Sequence, residues 1–330
     1  MICKKTYNSI DLFKFIAAFL VVGIHTEPFS QIKILDMAFG SITRIAVPFF
    51  FAASAFFFYL KPVDFKRMLL YTKHIFLLYV IWYLIYLLAA VPQFIKNGNF
   101  GNEVLSSLQG FLFGYKHLWF LQALIIAMPL CFGLIRIFKN DGIVFAIAVS
   151  LLVFGLINST YGNLFINYNF FGNIRNSNIF KLIGTRNGLF YAPVYIMIGK
   201  FFARKQFKVN LICSLFGVLG SFTSLVIEGF ICVFVIKTTQ TILWISVVPL
   251  TFFVFQFLLH ISLRDRNVFL SMRKTSVIIY TLHPLIISLF AFIDKPFLRF
   301  VIVLIITTFF AFLLYKISMI PKYKLMKKLY

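Results

Sequence analysis

Ten separate apolar stretches, each close to the ~20 residues a helix needs to cross a bilayer, run along this chain. They lie at 12–28, 40–60, 74–92, 118–138, 142–158, 187–202, 209–227, 240–260, 274–292 and 297–316. The pattern settles the solvent before any motif is read. Of the residues, 61% are hydrophobic and 12% charged, and 46 of the 330 are phenylalanine. The mean hydropathy is +0.95. Only helices and closed barrels pair every backbone N–H and C=O inside lipid. Barrel strands alternate polar and apolar residues over about ten positions, and runs such as 75–91 and 301–315 do not. The expected fold is all-α, a polytopic integral membrane bundle of about ten transmembrane helices.

The loops then indicate an orientation. With the N-terminus in the cytoplasm, the segments on that side carry 21 Lys and Arg, against nine on the other. The 21 include Lys4, Lys5, Lys205 and Lys208, and the positive-inside rule favours this arrangement. Both termini are expected in the cytoplasm, with a short basic tail at 317–330 after a single transmembrane domain that fills the chain. The net charge of +23 reads as topological charge and attraction to anionic headgroups. The basic residues are spread over six segments, so no nucleic-acid partner is expected and membrane lipid is. The first span lacks a small-residue cleavage site and is expected to be retained. Cys3, Cys131, Cys213 and Cys232 show no CxxC spacing, so neither a disulfide nor a metal site is expected.

Inside a span, an ionisable residue costs about 2.5–3.5 kcal/mol on insertion scales and usually faces a cavity. The first span carries Asp11, Lys14 and His25. Eleven residues bring Lys14 and His25 to within roughly 20° on one helix face, ~16 Å apart along the axis. Asp11 and Lys14, at i and i+3, can pair. Interfacial anchors with a packing histidine, or one polar cavity, both fit this face. Arg44 stands near the outer end of the second span, where it can snorkel outward, and Ser54 near its middle can back-bond to its own helix. His117 precedes Trp119, which suits a belt anchor or a cavity wall. Arg186 and Asn187 open the sixth span, and Glu228 closes the seventh. Tyr280 and His283 share a face beside Pro284, near the midplane. His74 and His260 read as interfacial. The segments 93–117 and 159–186 read as loops on the outer side. If the polar residues converge, they form a cavity reached from both sides.

Taken in order, these residues resemble a known family. The run Ile10-Asp11-Leu12-Phe13-Lys14 through His25-Thr26 is similar to the first span of the acyltransferase-3 family of membrane O-acyltransferases, where a basic residue precedes a histidine by eleven positions. Arg44 with Pro48-Phe49-Phe50-Phe51 and Ser54-Ala55-Phe56 resembles its second span. His117-Leu118-Trp119, Arg186-Asn187-Gly188-Leu189-Phe190 with Gly199, and Tyr280-Thr281-Leu282-His283-Pro284 complete the match. The Arg186 segment looks most like the membrane half of vancomycin-resistance serine racemases, and no racemase domain is expected here. The sequence departs from the family at Ala55, where glycine is usual. It departs again after the second span, where Lys66, Arg67 and Lys73 replace an Arg-x-x-Arg element.

The resemblance implies a bacterial multi-pass membrane enzyme with no permanently bound cofactor. Acyl-CoA, most simply acetyl-CoA, would be the co-substrate, and the acceptor a hydroxyl of an extracytoplasmic glycan or lipid-linked sugar. His25 is the expected general base, since a hydroxyl needs a base whose pKa lies near the working pH. Asp11, Lys14, Lys66, Arg67 and Lys73 would receive acyl-CoA. Arg44, Ser54, His117, Trp119, Arg186, Asn187, Glu228, Tyr280 and His283 would line the cavity or meet the acceptor. The competing reading is a transporter of a small polar substrate such as serine.

Overall fold

In the computed structural model, residues 6–98, 100–165, 167–204, 210–238, 243–264 and 266–330 are described. Cys3, Lys4, Lys5, Lys205 and Lys208 lie outside them. Among the described residues every regular element is a helix. They are α1 Asn8–Thr26, α2 Lys33–Thr43, α3 Ala46–Tyr59, α4 Phe65–Asn97, α5 Phe100–Phe113, α6 Trp119–Phe138 and α7 Asp141–Ile157. They continue with α8 Asn169–Asn176, α9 Asn178–Ile183, α10 Ala192–Arg204, α11 Leu211–Phe230, α12 Val247–His260, α13 Asn267–Leu289 and α14 Pro296–Ser318. Six segments are long and apolar enough to cross a bilayer: 8–26, 33–59, 65–96, 101–138, 211–235 and 296–318. This is a multi-pass membrane protein.

Each of the ten apolar stretches falls on a helix, with shifted bounds that have physical causes. The second stretch breaks at Arg44 and Ile45 into α2 and α3. Pro48 has no N–H to give the Arg44 carbonyl, and its ring crowds that group, so one backbone bond of a continuous helix is missing where the break falls. The sixth stretch turns helical only at Ala192, because Asn187 holds the residues before it in a turn. In the described part of the eighth, 243–260, helix begins at Val247. The segment 93–117, read as a loop, contains α5, and 159–186 contains the short α8 and α9.

Helix α3 packs most closely on α10, and α1 on α13. Small residues set the first contact: a Cβ on Gly199 would sit 2.1 Å from the Ala52 carbonyl oxygen, so only glycine allows this approach, as is usual where membrane helices touch. Rings fill the space around it, with Phe202 stacked on Phe255 at 5.4 Å and Phe49 5.5 Å from Phe255. The starts of α1 and α13 and the end of α12 lie at one end of the bundle. There Ser9 Oγ donates to the Leu258 carbonyl at 2.7 Å. The end of α1, the start of α6 and the Arg186 turn lie at the other.

Candidate functional site

Three imidazoles, two on helices and one on the turn before α6, meet at the second of these ends. His25, in the last turn of α1, has its ring centroid 5.1 Å from that of His283 on α13. His283 lies 5.3 Å from His117, which sits in the turn before α6. The end of α1 packs beside the Pro284 region of α13, so His25 and His283 share one depth. His25 is exposed, whereas His117 and His283 are buried. His283 Nδ1 stands 3.1 Å from the Ile279 carbonyl oxygen. A carbonyl only accepts, so Nδ1 carries the proton and neutral His283 keeps a lone pair on Nε2. Neither that Nε2 nor either nitrogen of His117 has a hydrogen-bond partner among the described residues. The Tyr280 hydroxyl donates to the His117 carbonyl and pins the turn. No group of three or more side chains able to hold a metal ion occurs among the described residues.

In front of these rings lies a cavity of about 50 Å³, lined among others by His25, Arg44, His117, Trp119, Arg186 and Tyr280. Two sequence alternatives resolve here. Trp119 is buried at 8% exposure and carries the Arg186 guanidinium 4.7 Å above its ring, so it walls the cavity and is no belt anchor. Arg44 does not snorkel outward; it lies over the Trp244 ring at 5.3 Å. A wider vestibule of about 290 Å³ adjoins, sharing Ile24, Thr43 and Arg44 with the first cavity. Glu27, Lys33, Asp36, Phe39 and Trp244 complete much of its wall.

At the opposite end a third cavity of about 570 Å³ opens. Lys14, Ser54, Arg67, Tyr71, His74, Arg273, Lys274 and Tyr330 are among its lining residues. The expected Asp11–Lys14 pair is replaced by a contact across helices, with Arg273 Nε 3.7 Å from Asp11 Oδ1. Of the four basic residues expected to receive acyl-CoA, Lys14 and Arg67 line this cavity. Arg67 also braces the chain, donating to the Phe58 and Pro62 carbonyls at 2.5 and 2.6 Å. Lys66 and Lys73 are exposed away from the cavity. Ser54 belongs here, beside the Tyr71 phenol, and not with the histidines. Arg273 and Lys274 were counted only as loop charges in the sequence, because α13 starts two turns before the apolar stretch does.

Two further candidates prove to be structural. Glu228 accepts the Tyr161 hydroxyl and the backbone N–H groups of Ile245 and Ser246, both at 2.8 Å. It holds the turn before α12 and lines none of these cavities. Asn187 spends both ends of its amide locally. Its oxygen accepts from Leu189 and Phe190 N–H groups at 2.8 and 2.9 Å, and its nitrogen donates to the Gly184 carbonyl at 2.9 Å. A buried polar group must be satisfied somewhere, and here the partners are backbone. The single polar cavity expected to join Lys14 to His25 is also corrected. The structure divides it in two, and the two parts share no lining residue.

A histidine-lined pocket and a basic cavity thus lie at opposite ends of a membrane-spanning helical bundle. Residues 7–316 match the acyltransferase domain family, acyltransferase-3, and the chain belongs to it. It is 31% identical over 234 residues to an amino-acid racemase of Enterococcus faecalis, covering 65% of this chain and 32% of the relative. A second amino-acid racemase of that organism is 27% identical over 312 residues, 88% of this chain and 42% of the relative. A serine/alanine racemase of Enterococcus gallinarum is 29% identical over 241 residues, 67% of this chain and 33% of the relative. The chain thus aligns with well under half the length of these relatives. No solved structure matches it significantly.

Proposed function

We propose that this protein moves an acyl group from acyl-CoA, bound at the Lys14 end, to a hydroxyl presented at the His25 end. The observation that carries this reading is the pairing of a basic cavity at one end with a pocket lined by His25 and His117, and backed by His283, at the other, in a chain of the acyltransferase-3 family. Lys14, Arg67, His74, Arg273 and Lys274 supply cationic and hydrogen-bonding groups for the phosphates of CoA. This end faces the cytoplasm by the loop charges, and the acceptor arrives from outside a bacterial cell membrane.

The chemistry follows from the residues. The acceptor hydroxyl oxygen attacks the thioester carbonyl carbon while His25 takes the hydroxyl proton. His283, its proton fixed on Nδ1 by the Ile279 carbonyl, packs beside the base with ring centroids 5.1 Å apart. The tetrahedral oxyanion forms beside Arg44 and Arg186, whose fixed charges stabilise it. It collapses to the new ester and expels the CoA thiolate, which takes up a proton. The vestibule that shares Arg44 with the His25 cavity receives the acceptor, a glycan or lipid-linked sugar, and Trp244 and Phe39 offer it faces. Acetyl is the group the narrow His25 cavity suits best.

One observation favours a second reading. Two cavities closed from each other also suit a carrier of a small polar solute, and the relatives named racemases make serine the first substrate to try. The test is to supply acetyl-CoA labelled in the acetyl group to vesicles with the basic end outward. Alkali-labile label in a glycan or lipid-linked sugar supports acyl transfer. Serine uptake that needs no CoA, with no label transferred, supports the carrier.

A further inference from the structure

The two cavities are separated by very little. On α1, Lys14 lines one and Val21 the other; on α3, Ser54 and Val47; on α13, Val277 and Tyr280. Along α1 and α3 each pair is seven residues apart, two turns on one helix face and about 10 Å of rise. Along α13 the separation is a single turn, about 4.5 Å. The residues midway on these faces form the partition. On α1 they are Ala17 and Ala18, both fully buried and too small to fill space. On α3 they are Phe51 and Phe50, neither of which lines either cavity; Phe50 is 5% exposed. Its ring lies 6.2 Å from Tyr280 and 5.9 Å from Phe120, and those two are 5.3 Å apart. The Tyr280 hydroxyl is held by the His117 carbonyl, so that ring is fixed.

Phe50 has no such tether. Its side chain is purely hydrocarbon, and the rings of Phe120 and Tyr280 hold it by packing alone. A phenyl ring on a helix moves by changing χ1, which needs no hydrogen bond to break. Immediately before it, the α2–α3 break at Arg44 and Ile45 and the missing Pro48 N–H leave the first turn of α3 without a full ladder of backbone bonds. A ring with no hydrogen-bonding group therefore stands in the partition between the two cavities.

We propose that Phe50 is the closure between the two cavities, and that the space its ring vacates sets the size of the group that crosses. This rests on the reading of the cavities as donor and acceptor sides, yet its first test needs no acyl transfer. Val47 lines the His25 cavity just beyond the ring. In a chain with Cys3, Cys131, Cys213 and Cys232 replaced, Val47→Cys is to be labelled with a membrane-impermeant methanethiosulfonate in vesicles of each orientation. With Phe50 present, the cysteine reacts from the His25 side only. With Phe50→Ala it also reacts from the Lys14 side, at least about tenfold faster than before, the change that ~1.4 kcal/mol of lost closure gives. Phe50→Leu, the gentler change, shows a smaller rise, and keeps the test available should the alanine variant not fold. Unchanged labelling from the His25 side verifies the fold. Equal reactivity from the Lys14 side with Phe50 intact overturns the proposal, and so does no rise in folded Phe50→Ala or Phe50→Leu. In a second arm, Phe50→Ala extends transfer from acetyl-CoA to octanoyl-CoA. If labelling changes as stated but neither thioester reacts in any variant, the closure stands and the acyltransfer reading falls.

Discussion

Adding one methyl group at Gly199 tests how the site is held. The α3–α10 contact is the tightest in the bundle, and the added Cβ would lie 2.1 Å from the Ala52 oxygen and 2.9 Å from Ala55 Cβ. An unstrained carbon contact needs about 3.5 Å. Backbone and a Cβ form the obstacle, so no side-chain rotation relieves it, and α10 must move away from α3 by more than about an ångström. Overpacking of this kind costs ~1–3 kcal/mol, and a loss of 2 kcal/mol lowers the folded-to-unfolded ratio about 30-fold. Gly220 on α11 is the control, since nothing lies within 4 Å of its would-be Cβ. There alanine is neutral or stabilises by up to ~1 kcal/mol through helix propensity. Thermal unfolding of both variants in one detergent, followed by size-exclusion fluorescence, makes the comparison. Gly199→Ala should melt well below wild type and Gly220→Ala at or above it. Equal melting of the two variants would refute the close approach of α3 and α10.

Other outcomes follow from single contacts. Glu228→Gln removes the charge that accepts two backbone N–H groups and a tyrosine hydroxyl. It should cost ~1.5–3 kcal/mol of stability while the folded fraction turns over at the wild-type rate; a large fall in kcat of folded protein would restore Glu228 to the site. Arg273→Gln removes the cation beside Asp11 and should raise KM for acyl-CoA about tenfold, ~1.4 kcal/mol, with kcat little changed. Steady-state kinetics that show the opposite split would place Arg273 outside donor binding.

The fold class and the order of spans were legible because lipid demands long apolar helices, and these leave unbroken runs in the sequence. The break at Arg44 was missed, because 40–60 reads as one continuous apolar stretch. Helix α5 was missed too: it is too short to span, and a reading that reserves helices for spans leaves it as loop. At the site, the Lys14–His25 face of α1 could be derived from helical geometry alone. The meeting of His25, His117 and His283 could not, because it depends on how three helices cross. Glu228 and Asn187 show the limit of the rule that polar residues in membranes mark function. The rule says such a group needs a partner, and for these two the partner is backbone. The Asp11–Arg273 contact was missed for a related reason: sequence pairs Asp11 with its neighbour Lys14, whereas the cation that reaches it lies on α13.

The most direct measurement of the central claim is transfer of labelled acetyl from acetyl-CoA by purified protein in nanodiscs, with a membrane extract as the acceptor source. Wild type, His25→Ala and Glu228→Gln are to be run side by side at equal folded concentration. General-base catalysis by His25 predicts a loss of about 10²–10⁴-fold in His25→Ala and none in Glu228→Gln. Transfer by His25→Ala at the wild-type rate would contradict the account.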